Sequence, residues 1–319
     1  MVSHWRFLCV NGAVLAALAG CGGSFPLVPP ALPDSESDVV NETAGPSAES
    51  VELAAFYQRV ESSLQSRGLL RTDEGTLDAP FDADVLTQNF ERVALFEEYS
   101  AVAGRLVARE AASFVHRWED PVRLEVNFGA SLEPAQEARD RDAIASYAGR
   151  LGRVTGHPVR QVSADGNFHV FVVNEDERRA LAPDLLRVMP DLDQATLDAV
   201  INLPRSSYCL VIARDQASDG IYDTAVTVIR AEHPDLLRLS CLHEELAQGM
   251  GLANDSPSAR PSVFNDDEEF ALLTRHDEFL LAILYDRRLQ PGMNAAQAMP
   301  IVAEIARELL PEDDGEPES

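Results

Sequence analysis

Cys241-Leu242-His243-Glu244-Glu245-Leu246-Ala247-Gln248-Gly249-Met250-Gly251-Leu252-Ala253-Asn254-Asp255 is the stretch on which the fold turns. A helix is expected from about Leu236 or Ser240 to Leu252. The pair His243-Glu244 invites a zinc reading of the HExxH kind, which needs two histidines four residues apart so that both face the metal from one side of the helix. The residue four beyond His243 is Ala247, so the pattern fails in that register.

Moved by one residue, the block resembles the longer metzincin pattern, HExxHxxGxxH followed by Asp. Glu245 then stands on the catalytic glutamate, where the resemblance implies a general base. Glu244, Gln248 and Asn254 stand on the three zinc-ligand positions, Gly251 on the turn glycine and Asp255 on the acid that follows. Downstream, Pro261-Ser262-Val263-Phe264 resembles the turn beneath the metal, with Phe264 in place of methionine. Leu273-Thr274-Arg275-His276-Asp277 through Tyr285 resembles the helix after it, with Thr274 as N-cap and Asp277 three residues on. The resemblance implies a zincin-like α+β domain: a twisted mixed sheet, the motif helix and a C-terminal helix.

The ligand set argues against ordinary zinc chemistry. Zinc favours His and Cys, whereas a Glu, Gln and Asn set is hard and closer to what calcium accepts. His243 lies about 100° around the helix from Glu244 and joins a metal site only if the helix is rotated from the metzincin pose. No cofactor is therefore expected, with zinc or calcium as the alternative. The leading expectation is a binding or scaffold module lacking the zinc triad. The alternative is a metal-dependent hydrolase with Glu245 as base and His243, Glu244, Gln248 and Asn254 as ligands.

Working outward, the chain from about Phe114 to Leu289 resembles a bacterial family of envelope lipoproteins known as domain of unknown function 2927. The residues that carry this are Arg117-Trp118, the helix end from Tyr147 to Gly156, the Glu244 to Leu252 block, Asn254-Asp255-Ser256 and Ser262-Val263-Phe264. The family implies no activity.

The N-terminus reads as an export signal over residues 1–20. Arg6 opens it, a short apolar run follows, and Leu18-Ala19-Gly20-Cys21 resembles a lipobox. Cys21 would carry the lipid anchor, each buried CH₂ adding roughly 0.8 kcal/mol of membrane affinity. Gly22, rather than Asp, follows the cysteine, which resembles the Gram-negative sorting pattern that implies the outer membrane over inner-membrane retention, facing the periplasm. Residues 21–50, rich in Gly, Pro and Ser, are expected to be a flexible linker, and 311–319 an acidic disordered tail.

Composition narrows the partners. The formal net charge is −27 and the chain holds no lysine, which excludes Schiff-base and Ser–Lys chemistry. Such acidity repels nucleic acid and anionic headgroups, and is read as surface solubility in place of a specific cationic partner. The expected partners are the membrane, through the lipid, and an envelope protein or peptide. Cys9 leaves with the signal, so Cys209 and Cys241 remain as a pair in an oxidising compartment and are expected to form a disulfide.

Residues 51–118 are expected to be helical, first on Leu53, Phe56, Tyr57, Val60 and Leu64, then from Asp84 through Leu106. The domain proper is placed at 119–310, with strands at Val122–Phe128, Asn167–Val173, Tyr208–Ala213 and Ala225–Ile229. His276 and Asp277 are read as a pair on a helix surface, and Asp266 to Glu269 as a solvated acidic run with Arg260 beside it.

Overall fold

The computed structural model describes residues 45–102, 105–265 and 267–311. The export signal 1–20, Cys21, the linker up to residue 44 and the tail from 312 lie outside the described residues. The first element, helix α1 (Ala48–Ser66), starts where Ser47 accepts the Ser50 N–H, and the chain leaves it through Gly68 at φ 78°. Helix α2 (Ala83–Ala94) is capped by Asp82, whose carboxylate accepts the Val85 N–H.

The helical pattern expected through Leu106 stops at Ala94. Strands β1 (Phe96–Val102) and β2 (Arg105–Ala112) pair there as an antiparallel hairpin. Phe96, Tyr99, Val102 and Val107 are aromatic or β-branched, and Gly104 is a poor helix former. The apolar spacing alone matched both periods, and residue type decided between them.

A five-stranded sheet follows. It begins with β3 (Val122–Phe128), which helix α3 (Pro134–Thr155) connects to β4 (Val159–Val162), and continues with β5 (Phe168–Val173). Three short helices, α4 (Glu175–Arg179), α5 (Ala182–Val188) and α6 (Gln194–Ile201), lead to β6 (Cys209–Arg214) and β7 (Thr224–Arg230). The strand order is β4-β3-β5-β7-β6, parallel except for β6, which runs antiparallel to β7 at one edge. The sheet is therefore mixed and the class α+β.

Strands β5 and β7 are buried on both faces along their whole length, as their largely apolar sequences require. Phe168, Val170, Val172, Ala225 and Ile229 pack with α3 and the C-terminal helices, while Phe171, Val173, Val226 and Val228 pack with α5 and α6. Against the first face lie α7 (Asp235–Gln248), α8 (Arg275–Leu284) and α9 (Ala295–Leu309). Ten of the fourteen residues of α7 are buried. A disulfide joins Cys209 at the start of β6 to Cys241 in α7, so the edge strand and the motif helix are covalently linked. No described helix is long and apolar enough to cross a membrane.

Candidate functional site

A cleft of about 1000 Å³ runs beside β6. One wall is the strand itself, from Tyr208 to Ala213. The floor is α7, which presents Glu244, Glu245 and Gln248, followed by Asp255 from the turn after it. Because β6 is the last strand of the sheet, no described strand pairs with its outer side. The unpaired backbone amides and carbonyls of such an edge are a template for one more strand.

The position of the floor is fixed at the end of α7. Trp118 donates its indole N–H to the Gly249 carbonyl at 2.8 Å, and the Gly251 N–H closes on the Gln248 carbonyl at 2.8 Å. Gly251 has φ 121°, and a Cβ there would lie 2.2 Å from the His116 carbonyl oxygen. A Cβ at Gly249 would strike the Phe168 ring at 2.4 Å. Both positions need glycine because backbone or aromatic atoms fill the space a side chain would take.

The structure gathers four of the sequence-derived residues and leaves two apart. Glu244, Glu245, Gln248 and Asp255 line the cleft together, and the Gln248 amide donates to Asp255 Oδ1 at 2.9 Å. His243 faces the opposite way. Its Nδ1 accepts the Leu273 N–H at 3.1 Å, and its ring stacks on Tyr147 at 4.0 Å between centroids. The Tyr147 hydroxyl donates to the His243 carbonyl at 2.7 Å. Burial, reinforced by Arg150, pushes the imidazole pKa down to about 3, so the ring is neutral and its lone pair is committed to the backbone. Asn254 is buried off the cleft wall, its amide donating to the carbonyls of Arg92 and Asp255.

These residues do not fit zinc. The one imidazole of the block is turned to Leu273, and the Gln248 and Asn254 amides are engaged with protein acceptors. Among the described residues no three His, Cys, Asp or Glu side chains converge as ligands would.

Phe264 is fully buried, in the segment that follows the motif turn. Asp277 holds that segment in place. It accepts the Ser262 hydroxyl at 2.5 Å, the Val263 N–H at 3.0 Å and the Thr274 N–H at 2.9 Å. Thr274 and Asp277 form the capping box of α8. His276 and Asp277 are both 0% exposed, which corrects the reading of a pair on the helix surface. Asp277 is buried because one carboxylate serves both the helix cap and the turn. Asn89 donates to His276 Nε2 at 3.0 Å, tying α2 into the same network.

Sequence reasoning missed the far end of the cleft. Beyond Arg214 the wall is made by Asp215, Tyr222, His116, Phe114 and Glu97. Phe114, His116 and Tyr222 stack in series, with centroids 4.3 and 5.2 Å apart. His116 Nε2 stands 3.6 Å from Asp215 Oδ2. These residues come from three separate segments, so no spacing in the sequence could have announced them.

No curated protein and no solved structure matches the chain. The family model for a protein of unknown function, DUF2927, matches residues 83–304, which takes in α2, the sheet, the motif helix and most of α9. The chain belongs to the DUF2927 family.

Proposed function

We propose that this chain is a lipid-anchored binding module of the cell envelope, held through Cys21 on the periplasmic face of the outer membrane. Its domain is zincin-like, with the metal positions given over to structural hydrogen bonds. The cleft holds an extended peptide segment of an envelope protein without cutting it.

The observation that carries this reading is the open edge of β6 beside the α7 floor. A peptide lying there gains main-chain hydrogen bonds along six strand residues, a reach of about 20 Å at roughly 3.3 Å per residue. Support for a binding role over hydrolysis comes from His243, whose lone pair serves Leu273, and from Gln248 and Asn254, whose amides are bound within the fold.

Two experiments test the proposal. The purified full-length chain is expected to capture extended peptides intact and to be indifferent to chelators. Stoichiometric zinc, together with chelator-sensitive cleavage that disappears in Glu245→Gln, would establish the hydrolase instead. Metabolic labelling with palmitate is expected to mark the wild-type chain and not Cys21→Ser. Equal labelling of both would remove the anchor.

A further inference from the structure

The far end of the cleft carries chemistry that the α7 floor does not. Seven of the described lining side chains are carboxylates, Glu97, Asp215, Glu244, Glu245, Asp255, Asp267 and Glu268, against one guanidinium, Arg67. The whole chain has 53 acids to 26 bases, so the cleft is far more one-sided than the molecule. Glu244, Glu245, Asp255 and Glu268 have interactions of their own within the fold. The group beyond Arg214 differs in composition, combining carboxylates from two segments with an imidazole and two aromatic rings.

That group is rich in acceptors. Glu97 receives the Ser113 hydroxyl at 2.8 Å, and Asp215 receives the N–H groups of Asp219 at 3.2 Å and Gly220 at 2.7 Å. The His116 side chain is 10% exposed and that of Asp215 7%. Their nearest atoms are 3.6 Å apart, too far for a hydrogen bond and close enough for one donor to reach both. Burial lowers the His116 pKa against the pull of Glu97 and Asp215, so the ring is neutral at neutral pH and offers an acceptor. Phe114 and Tyr222 stack in series with the imidazole, and the half-buried Phe114 leaves apolar surface suited to the stem of a long side chain. A neutral imidazole, two carboxylates and aromatic walls form a receptor for a cation that carries several donors.

We propose that Glu97, Asp215 and His116, walled by Phe114 and Tyr222, receive an arginine or lysine side chain of an extended cationic segment from another envelope protein, added as a strand to the outer edge of β6. This rests on the reading of the cleft as a peptide site, and the experiment separates the two.

Three labelled synthetic peptides of eight residues are titrated onto the full-length chain by fluorescence anisotropy. They alternate Thr with Arg, with Gln or with Glu. The Arg peptide is expected to bind at least about tenfold more tightly than the Gln peptide, an advantage lost at high salt, and the Glu peptide least. Glu97→Gln and Asp215→Asn should each weaken the Arg peptide by about fivefold or more and leave the Gln peptide unchanged. Asparagine at 215 keeps one of the two oxygens that accept the Asp219 and Gly220 N–H groups, and Glu97 lies in a different segment, so agreement between the two variants guards against a folding artefact. Val211→Pro, on the edge strand, should weaken all three.

If the Arg and Gln peptides bind equally, or neither acid matters, the cationic specificity is overturned and the peptide site stands. If no peptide binds, both fall. Spermidine competing as well as the Arg peptide, with Val211→Pro without effect, would replace the strand by a free polyamine.

Discussion

Helices α1 and α7 have similar apolar spacing in the sequence and are held in different ways. Helix α7 buries ten of fourteen residues, is stapled to β6 by the disulfide and receives Tyr147 on its backbone. Helix α1 buries three of nineteen, Ser50, Tyr57 and Leu64, spaced seven apart along one narrow stripe. Tyr57 packs edge-on against Tyr208 and His233 and Leu64 joins Leu70 and Ala271, and hydrogen bonds add to this: Ser50 donates to Glu232 at 2.7 Å, the Tyr57 hydroxyl to the Arg205 carbonyl at 3.0 Å, and the Leu237 N–H reaches Glu61 at 2.9 Å. Periodicity therefore says that a segment is helical and not how deeply it docks. Helix α7 is part of the frame, whereas α1 lies outside the residues 83–304 matched by the family model and is fastened to the frame by one narrow stripe and a few hydrogen bonds.

The largest effects should fall on α7. Leu246 is 0% exposed, and Leu246→Ala should destabilise the whole domain by about 2–5 kcal/mol. Chemical denaturation would show it as a lower midpoint, and a loss under 1 kcal/mol would mean the helix is not part of the main core. Replacing Cys209 and Cys241 by serine removes a link across 32 residues of sequence. By loop-closure entropy this is expected to lower stability by about 3–4 kcal/mol. An unchanged melting temperature would show that packing alone holds β6 to α7.

A pH series sharpens the contrast. His243, held near pKa 3 by burial, is neutral in the fold, while in the unfolded chain it protonates near its ordinary value. His116, His169 and His233 are shifted the same way, again chiefly by burial. Between about pH 6.5 and 3 the unfolded state binds more protons, so stability falls as pH falls, by about 1.4 kcal/mol per pH unit for His243. Glu232, raised by burial, acts in the opposite sense, while Glu269, lowered chiefly by its hydrogen bond to Arg260, acts in the same sense as the histidines. In His243→Asn the acid slope of the melting temperature should be shallower than in wild type, and an equal slope would refute the assignment.

The smallest effect belongs to α1. Ser50→Ala should cost about 1 kcal/mol. It should show as faster hydrogen exchange confined to α1 while the α7 amides keep their protection. Matched acceleration in both helices would mean that α1 is frame after all.

Much of the frame was legible in the sequence. Four strands, the motif helix, the cap at Thr274 and the disulfide follow from residues that act locally or in an even pair. The hairpin Phe96–Ala112 was not, because its apolar spacing also fits a helix. The motif block was legible as a helix and a turn, but the direction of His243 was not. That direction depends on Tyr147 and Leu273, which only the folded chain brings near. Asp277 looked like a surface residue because its second task, holding Ser262 and Val263, is visible only in three dimensions.

The two glycines that end α7 make the cleft gauge-like. Gly249 seats against Phe168 and Gly251 against the His116 carbonyl, so the depth of the floor below β6 is set by contact with no spare clearance. A single added methyl group at either would act as a shim. It would lift Gln248 and Asp255 relative to the strand, and it would press on the backbone that carries His116 at the far end. Depth at one end and acceptor placement at the other are thus one dimension of the molecule, and a chain that altered one would have to recalibrate both.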